Sequence, residues 1–427
     1  MTKRSLGGGP LQVAVIGGLE HAGLICAAGL AEMGHQVLVL DRDPRLIADL
    51  QDGRFPPAAG AGLIQLWRGL LAAGCLSCTT DAGGLAERRV VFLCQEDWDA
   101  LQSSLLTTCS ALSGPAVLAL MGAMPVGGTD RLAATAASAT KAMVDVLACP
   151  VFFRSGSGIE GFRRPDRIVL GSRSAQALAT VREVFAPLGV PIVATTPVNA
   201  ELIAYATGAH LALRTSFVNE LAAICRRWDG NIGEVARAVG MDHRIGRHFL
   251  EPGVGFASPG PEADVWALVA AAQAKGWRPA LLEATLAVNE RQRRLVVEEL
   301  EQALLDLRGR RIAVLGLAAQ PGRADRCGTH ARRVIALLQE AGACLAAHDP
   351  GLGPDCPGLP AGVELTSTPL AAVAKAEAAV FLTAWPQYRQ LDFCQIKTAM
   401  ARPLIIDGCR LLTPARVAGI EYRGIGV

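Results

Sequence analysis

Four things are scarce or missing in this sequence, and each narrows what it can be. Aromatic residues fill only 5% of the 427 positions. With many Ala and Gly beside them, that suits helices packed closely on sheets. Neither sign of charge dominates: the net charge is +2, too balanced to argue for nucleic acid or an anionic membrane as a partner. Long apolar runs are broken by Gly, Pro, Ser or Thr, so no segment is expected to span a bilayer. There is no disulfide framework either. The 12 cysteines are scattered singly, and residues such as Cys26, Cys94 and Cys225 sit in apolar contexts. They read as reduced, buried thiols of a cytoplasmic protein. The one CxxC pair, Cys75 and Cys78, has no second pair and no nearby His, which favours a structural role over zinc or redox work. His243 and His248 are separated by a glycine-containing stretch, and no His pair has ligand spacing; no metal is expected.

What is present is a large apolar fraction, 51% of residues against 19% charged. A chain of this length then holds two or three domains with sizeable cores. Met1 to Pro10 (MTKRSLGGGP) is polar and Gly-rich, and reads as a flexible leader without the marks of a signal peptide. Leu11 to Ile16 (LQVAVI) is a short strand running into glycines, followed by a helical pattern to Met33 and a second strand, Gln36 to Leu40, ending at Asp41. Strand, Gly turn, helix, strand and a trailing acid is the layout of a dinucleotide-binding unit. Further strands are Arg89 to Cys94 and Ala116 to Leu120, with helical stretches between them. Alternation of this kind predicts a parallel sheet with right-handed crossovers.

Asn199 to Trp228 is a long helical stretch, too apolar for a single wet face. Ile232 to Gly240, Asp264 to Lys275 and Pro279 to Leu307 add helices. Arg311 to Leu315, Leu345 to Asp349, Ala379 to Leu382 and Leu404 to Asp407 then read as strands of a second α/β unit. The predicted fold is α/β: two Rossmann-like, doubly wound parallel-sheet domains joined by a long central helix. The first runs over 11–195, a helical region over 196–307 and the second over 308–427.

The stretch Pro252 to Val265 (PGVGFASPGPEADV) resembles the active-site loop of the UDP-glucose/GDP-mannose 6-dehydrogenase family, roughly PGPGYGGSCFPKDV, without a gap. Gly156 to Gly171 (GSGIEGFRRPDRIVLG) resembles that family's GSAVEDFLHPDRIVIG. Gly316 (GLAAQP), His348 (HDP), Leu382 (LTAWPQYRQLD) and the closing GIGV also have counterparts. The resemblance therefore covers nearly the whole chain, from Leu11 to Val427. It implies nicotinamide-dependent oxidation of a nucleotide sugar, and a dimer interface built on the long helix.

Residue by residue, the resemblance implies a depleted site. In the dinucleotide turn Gly18 and Gly23 take the outer glycine positions, and Glu20 takes the middle one, where backbone must meet pyrophosphate. A carboxylate ~4 Å from a phosphate charge costs about 4 kcal/mol at an effective dielectric near 20. Asp41 reads equally as a ribose ligand or as a cap or turn residue. The family's lysine after this acid falls at Leu46, and its VGTP segment at Gln95, Glu96, Asp97 and Trp98. Its nucleophilic cysteine falls at Gly260, its active-site lysines at Ala204 and Ala263, its asparagine at Gly208, its glutamate at Val151 and its threonine at Ala123. Further lysine and arginine positions become Gln320, Cys327 and Cys409. Arg410 replaces the last only if the strand slips, which turns it to the other face.

Retained as substrate-binding candidates are Arg154, Arg244, Phe249, Gly253, Gly255, Phe256 and Asp264. Arg244 reads also as a structural salt bridge or interface residue, and Asp264 as the cap of a helix beginning at Val265. Ser258 lacks a base and reads as an ordinary loop serine.

Three functions stay open at this point. The first is a non-catalytic homologue, cytoplasmic and without cofactor. It acts as a homodimer or with an active paralogue, binding a nucleotide sugar or serving polysaccharide synthesis. The second is an active NAD-dependent dehydrogenase, which needs Cys327 or Cys409 in the cleft. The third is an elimination or epimerisation, which needs a base that the sequence does not supply.

Overall fold

The structure is a computed structural model, and it describes residues 10–19, 22–55, 60–95, 97–122, 124–152, 158–256, 260–321, 327–353 and 356–425. The chain divides into two compact units, 1–205 and 206–427. The expected leader falls outside the described residues, apart from Pro10.

The first unit begins β1 (Gln12–Ile16), α1 (Ala22–Glu32), β2 (Gln36–Leu40), α2 (Pro44–Gln51), α3 (Ala61–Ala72), β3 (Leu76–Thr79) and β4 (Val90–Leu93). It continues with α4 (Trp98–Ala111), β5 (Ala116–Leu120), α5 (Gly128–Ala139), β6 (Val144–Ala148), α6 (Gly158–Arg163), β7 (Ile168–Gly171), α7 (Ala175–Phe185) and β8 (Ile192–Thr195). The sheet order is β3-β2-β1-β4-β5-β6-β7-β8. All pairings are parallel except β6 with β7. The central strands β1, β4 and β5 are apolar along nearly their whole length because helices cover both faces. One core lies on each face, around Val13, Val15, Phe92 and Phe185 on one side and Ile16, Val91, Leu93 and Leu118 on the other.

α8 (Pro197–Arg227) is 31 residues long. Its first turns hold α5: the buried Glu201 carboxylate accepts from the backbone N–H of Gly127 at 2.5 Å and of Thr129 at 2.8 Å. An anion there satisfies two of the free N–H groups at a helix start.

The second unit carries the rest of α8, then α9 (Ile232–Gly240), α10 (Pro261–Gln273) and α11 (Ala280–Leu304). The second sheet follows: β9 (Arg311–Leu315), α12 (Thr329–Glu340), β10 (Cys344–His348), β11 (Val363–Leu365), α13 (Pro369–Val373), β12 (Ala378–Phe381), α14 (Phe393–Ala399), β13 (Leu404–Asp407) and β14 (Glu421–Gly424). Its order is β11-β10-β9-β12-β13-β14, all parallel. In each sheet the strand order reverses between two central strands, β1 and β4 or β9 and β12. That places a crevice at their carboxyl ends, where open α/β sheets take ligands.

Candidate functional site

In the first unit the crevice lies where β1 and β4 end. Gly18 and Gly23 are both held by the protein's own backbone. A Cβ on Gly18 would fall 2.1 Å from the carbonyl oxygen of Cys94, and one on Gly23 would fall 2.1 Å from that of Gly17. Gly18, at φ +62°, makes the tight turn and Gly23 allows close helix-to-strand packing, two of the three roles a dinucleotide turn requires. Glu20 and His21, between them, lie outside the described residues.

Gln95 leaves β4 directly across the crevice. A Cβ on Gly17 would meet its Nε2 at 1.9 Å, and the same Nε2 donates to Ser104 Oγ at 3.3 Å. Asp97 caps α4, accepting from Ala100 N at 2.8 Å, so the helix start offsets part of its charge. Glu96 lies outside the described residues.

Asp41 Oδ1 accepts from Asp43 N at 3.0 Å, a turn contact that leaves Oδ2 without a hydrogen bond among the described residues. Arg42 reaches α4, donating to Ser103 O at 3.2 Å and Thr107 Oγ1 at 2.5 Å. Asp41 and Arg42 line a cavity of about 130 Å³ together with Ile16, Gln95, Ser104 and Thr107. Leu46 packs onto the core.

In the second unit the Gly-rich loop is pinned by α8 and α11. Asn219 Oδ1 accepts from Gly253 N at 2.9 Å. Asn289 clasps Phe256 on both sides: its Oδ1 accepts from Phe256 N at 2.8 Å and its Nδ2 donates to Phe256 O at 3.1 Å. Arg293 donates to the same carbonyl at 3.0 Å and to Glu262 at 2.9 Å. Gly255 has φ +96°, and a Cβ there would lie 2.0 Å from Asn289 Oδ1. The glycine is required, and the atoms it admits belong to the protein. The loop residues Ala257, Ser258 and Pro259 lie outside the described residues, as do Ala123 and Arg154.

Asp264 is not the cap of its helix. α10 starts earlier, at Pro261, because Pro is well placed in a first turn and Gly260 takes the boundary position. The carboxylate instead packs on α8 at Gly208, where a Cβ would fall 1.8 Å from Oδ2. Burial without a compensating partner pushes its pKa from 3.8 up to about 6. The sequence pointed to this residue but not to its desolvation, since nothing in the order of residues sets Gly208 against it. Gly260 itself has φ +134° and ψ −140°, a region that side chains other than glycine's rarely enter.

Arg244 is exposed and bound to its neighbour Asp242, with Nη2 to Oδ2 at 2.6 Å. This is the salt-bridge reading of that residue. Phe249 is half exposed with φ +58°. Arg410 departs from the expected behaviour. The β12–β13 register is intact, yet Arg410 lies just beyond β13 with φ +51°, and its guanidinium turns in beside Gly233. Its Nη1 is buried without a hydrogen-bond partner among the described residues.

At the second sheet's crevice a carboxylate of the chain takes the backbone donors. Asp349 Oδ2 accepts from Leu317 N, Ala318 N and Trp385 Nε1 at 2.7, 2.9 and 3.0 Å. The thiols nearby are poor nucleophiles. Burial pushes Cys327 up to about 12, and Cys409 is raised well above its usual value by burial and by Asp407. Of the CxxC pair, Cys75 is half-buried, and Cys78 is buried in β3, where burial pushes its thiol up to about 12. Seven of the twelve cysteines are fully buried, all twelve are unpaired, and Cys344 and Cys394 are exposed. Among the described residues no cluster could hold a metal ion, and no helix is long and apolar enough to cross a membrane.

Three family descriptions match this architecture in order. Residues 11–189 match the UDP-glucose/GDP-mannose dehydrogenase family NAD binding domain, 198–291 its central domain and 313–414 its UDP binding domain. The chain belongs to the UDP-glucose/GDP-mannose dehydrogenase family. It is 35% identical to a UDP-glucose 6-dehydrogenase of Pseudomonas aeruginosa, over 96% of each chain. It is 34% identical to one of Rhizobium meliloti, over 96% of this chain and 98% of that one. The structure of a UDP-glucose dehydrogenase from Pyrobaculum islandicum superposes with a TM-score of 0.89 at 30% identity, covering 100% of this chain and 99% of that chain.

Proposed function

We propose that this chain is a nucleotide-sugar dehydrogenase homologue that no longer performs the oxidation and acts by binding. The observation that carries the reading is Gly260. The gapless resemblance of Pro252 to Val265 puts the family's cysteine there. The position has no side chain, and its backbone, at φ +134°, suits none but glycine. Without a thiolate an aldehyde intermediate has no covalent hold. The lysine and asparagine positions of the same resemblance, Ala204 and Gly208, supply no proton carrier. The dinucleotide crevice supports the reading too, since Gln95 fills the space above Gly17. No cofactor is expected.

The protein then works as a dimer through α8, or beside an active paralogue, on a nucleotide sugar of a polysaccharide pathway in the cytoplasm. Phe217 and Ile224, two helical turns apart on α8, and Trp228 just past its end are 51%, 50% and 83% exposed, in keeping with an interface there. The test is incubation of the purified protein with NAD and UDP-glucose, UDP-N-acetyl sugars or GDP-mannose. No NADH is expected, and turnover at rates usual for enzymes ends the proposal.

A second reading, an active NAD-dependent UDP-sugar 6-dehydrogenase, is favoured by one fact: relatives named UDP-glucose 6-dehydrogenase align over 96% of this chain. It needs a thiolate from Cys327 or Cys409, both of which are held protonated. It predicts thermal stabilisation by NAD.

A further inference from the structure

We infer that Gln95 is the residue that shuts the first unit's crevice to a dinucleotide, an inference that rests on the reading that this chain does no nicotinamide chemistry. Three features make Gln95 a plug rather than a passing side chain. It stands at the reversal point of the strand order, where a dinucleotide would cross an open parallel sheet. Its carboxamide packs directly on the open face of Gly17: all three of its outer atoms lie within 2.9 Å of where a Cβ of Gly17 would be. Its backbone is placed by its neighbours: Cys94 N donates to Ile16 O at 2.9 Å, and the Gln95 carbonyl packs close on the bare α-carbon of Gly122.

Rotation of the side chain would clear the crevice. Rotation breaks the bond to Ser104 Oγ, a hydroxyl buried on α4. It also leaves that hydroxyl and the carboxamide to find new partners in a narrow space. A net hydrogen bond of this kind corresponds to about tenfold in affinity. The cavity beside Asp41 and Arg42 stays open while the crevice next to it is filled. Gln95 therefore discriminates by the length of the ligand, admitting what fits beside Asp41 and excluding what must continue over Gly17.

The experiment is calorimetric titration with NAD of the wild-type chain and of Gln95→Val and Gln95→Ala, with circular dichroism to confirm folding. The inference predicts about tenfold tighter NAD binding in both variants, a gain that misfolding cannot imitate. Glu20 lies three residues after Gly17 in the sequence and carries a charge, so the pair is repeated on a Glu20→Gly background. There Gln95→Val must again tighten binding about tenfold over Glu20→Gly alone. Variants that bind no better than their parents in both backgrounds overturn the inference. So do variants that bind worse, which would make the carboxamide a ligand donor. Tight NAD binding by the wild type without turnover overturns the plug and leaves the non-oxidising reading standing. NADH production by the wild type removes both.

Discussion

Replacing Asp264 by Asn stabilises the protein at neutral pH and does nothing in acid. The carboxylate packs against the bare α-carbon of Gly208, and burial raises its pKa from 3.8 to about 6. The folded state therefore holds this proton more tightly than the unfolded chain. The stability it contributes is fully present below about pH 4 and is lost as the pH rises through about 6. The rise from 3.8 to about 6 corresponds to about 3 kcal/mol of strain at neutral pH. Two effects reduce this. The group is only half-buried, so solvent screens part of the penalty. It also lies in the first turn of α10, whose N-terminus favours a negative charge by roughly 0.3–1 kcal/mol. About 1–2 kcal/mol survives, so desolvation wins.

Urea unfolding of the wild type and Asp264→Asn at several pH values reads this directly. The variant should be about 1–2 kcal/mol more stable near pH 7, and the difference should vanish near pH 4. In Gly208→Ala the new methyl expels the carboxylate from its seat. Adding Asp264→Asn to that background should then produce little pH-dependent change. A wild type more stable than the variant at neutral pH, or a difference independent of pH, refutes the reasoning.

Gly260→Cys should lower stability by about 1–3 kcal/mol, because a side chain is forced into backbone at φ +134°; an unchanged unfolding midpoint contradicts this. Asn289→Ala leaves the amide of Phe256 without its acceptor, while the carbonyl keeps Arg293. It should cost about 1–3 kcal/mol, read by denaturant unfolding, with faster amide exchange at 253–256. Under mild alkaline alkylation, mass spectrometry should find Cys344 and Cys394 modified and Cys327 intact, because the first two are exposed and the last is buried with its thiol held near 12.

The fold was legible where strands are central and buried on both faces. β1, β2, β4, β5, β9, β10, β12 and β13 read as apolar runs between glycines and turns. Several of the strands that escaped notice break that pattern, although β7 (IVLG) is an apolar run that was simply too short to stand out. β3 (LSCT) alternates, β6 (VDVLA) contains Asp145, and β8 (IVAT) is partly exposed on the sheet's edge. Glu421–Gly424 is short and carries two charges. The site was legible as positions and not as contacts. The loop Pro252–Val265 stood out in the sequence, but which side chains fill its glycines did not. Asn289 behind Gly255, Asp264 against Gly208 and Gln95 over Gly17 are distant or turn-separated pairs that no spacing rule connects. Arg410 shows the same limit. Its inward turn depends on one backbone angle rather than on strand register.

The central claim is that this member of the family has lost the oxidation. A single-turnover experiment, with protein in excess over UDP-glucose and NAD saturating, tests it most directly, because even a crippled active site would give a slow burst. No NADH and unchanged UDP-glucose are expected after prolonged incubation. Appearance of UDP-glucuronate with two equivalents of NADH per sugar, the balance of an alcohol oxidised to an acid by two hydride transfers, contradicts it.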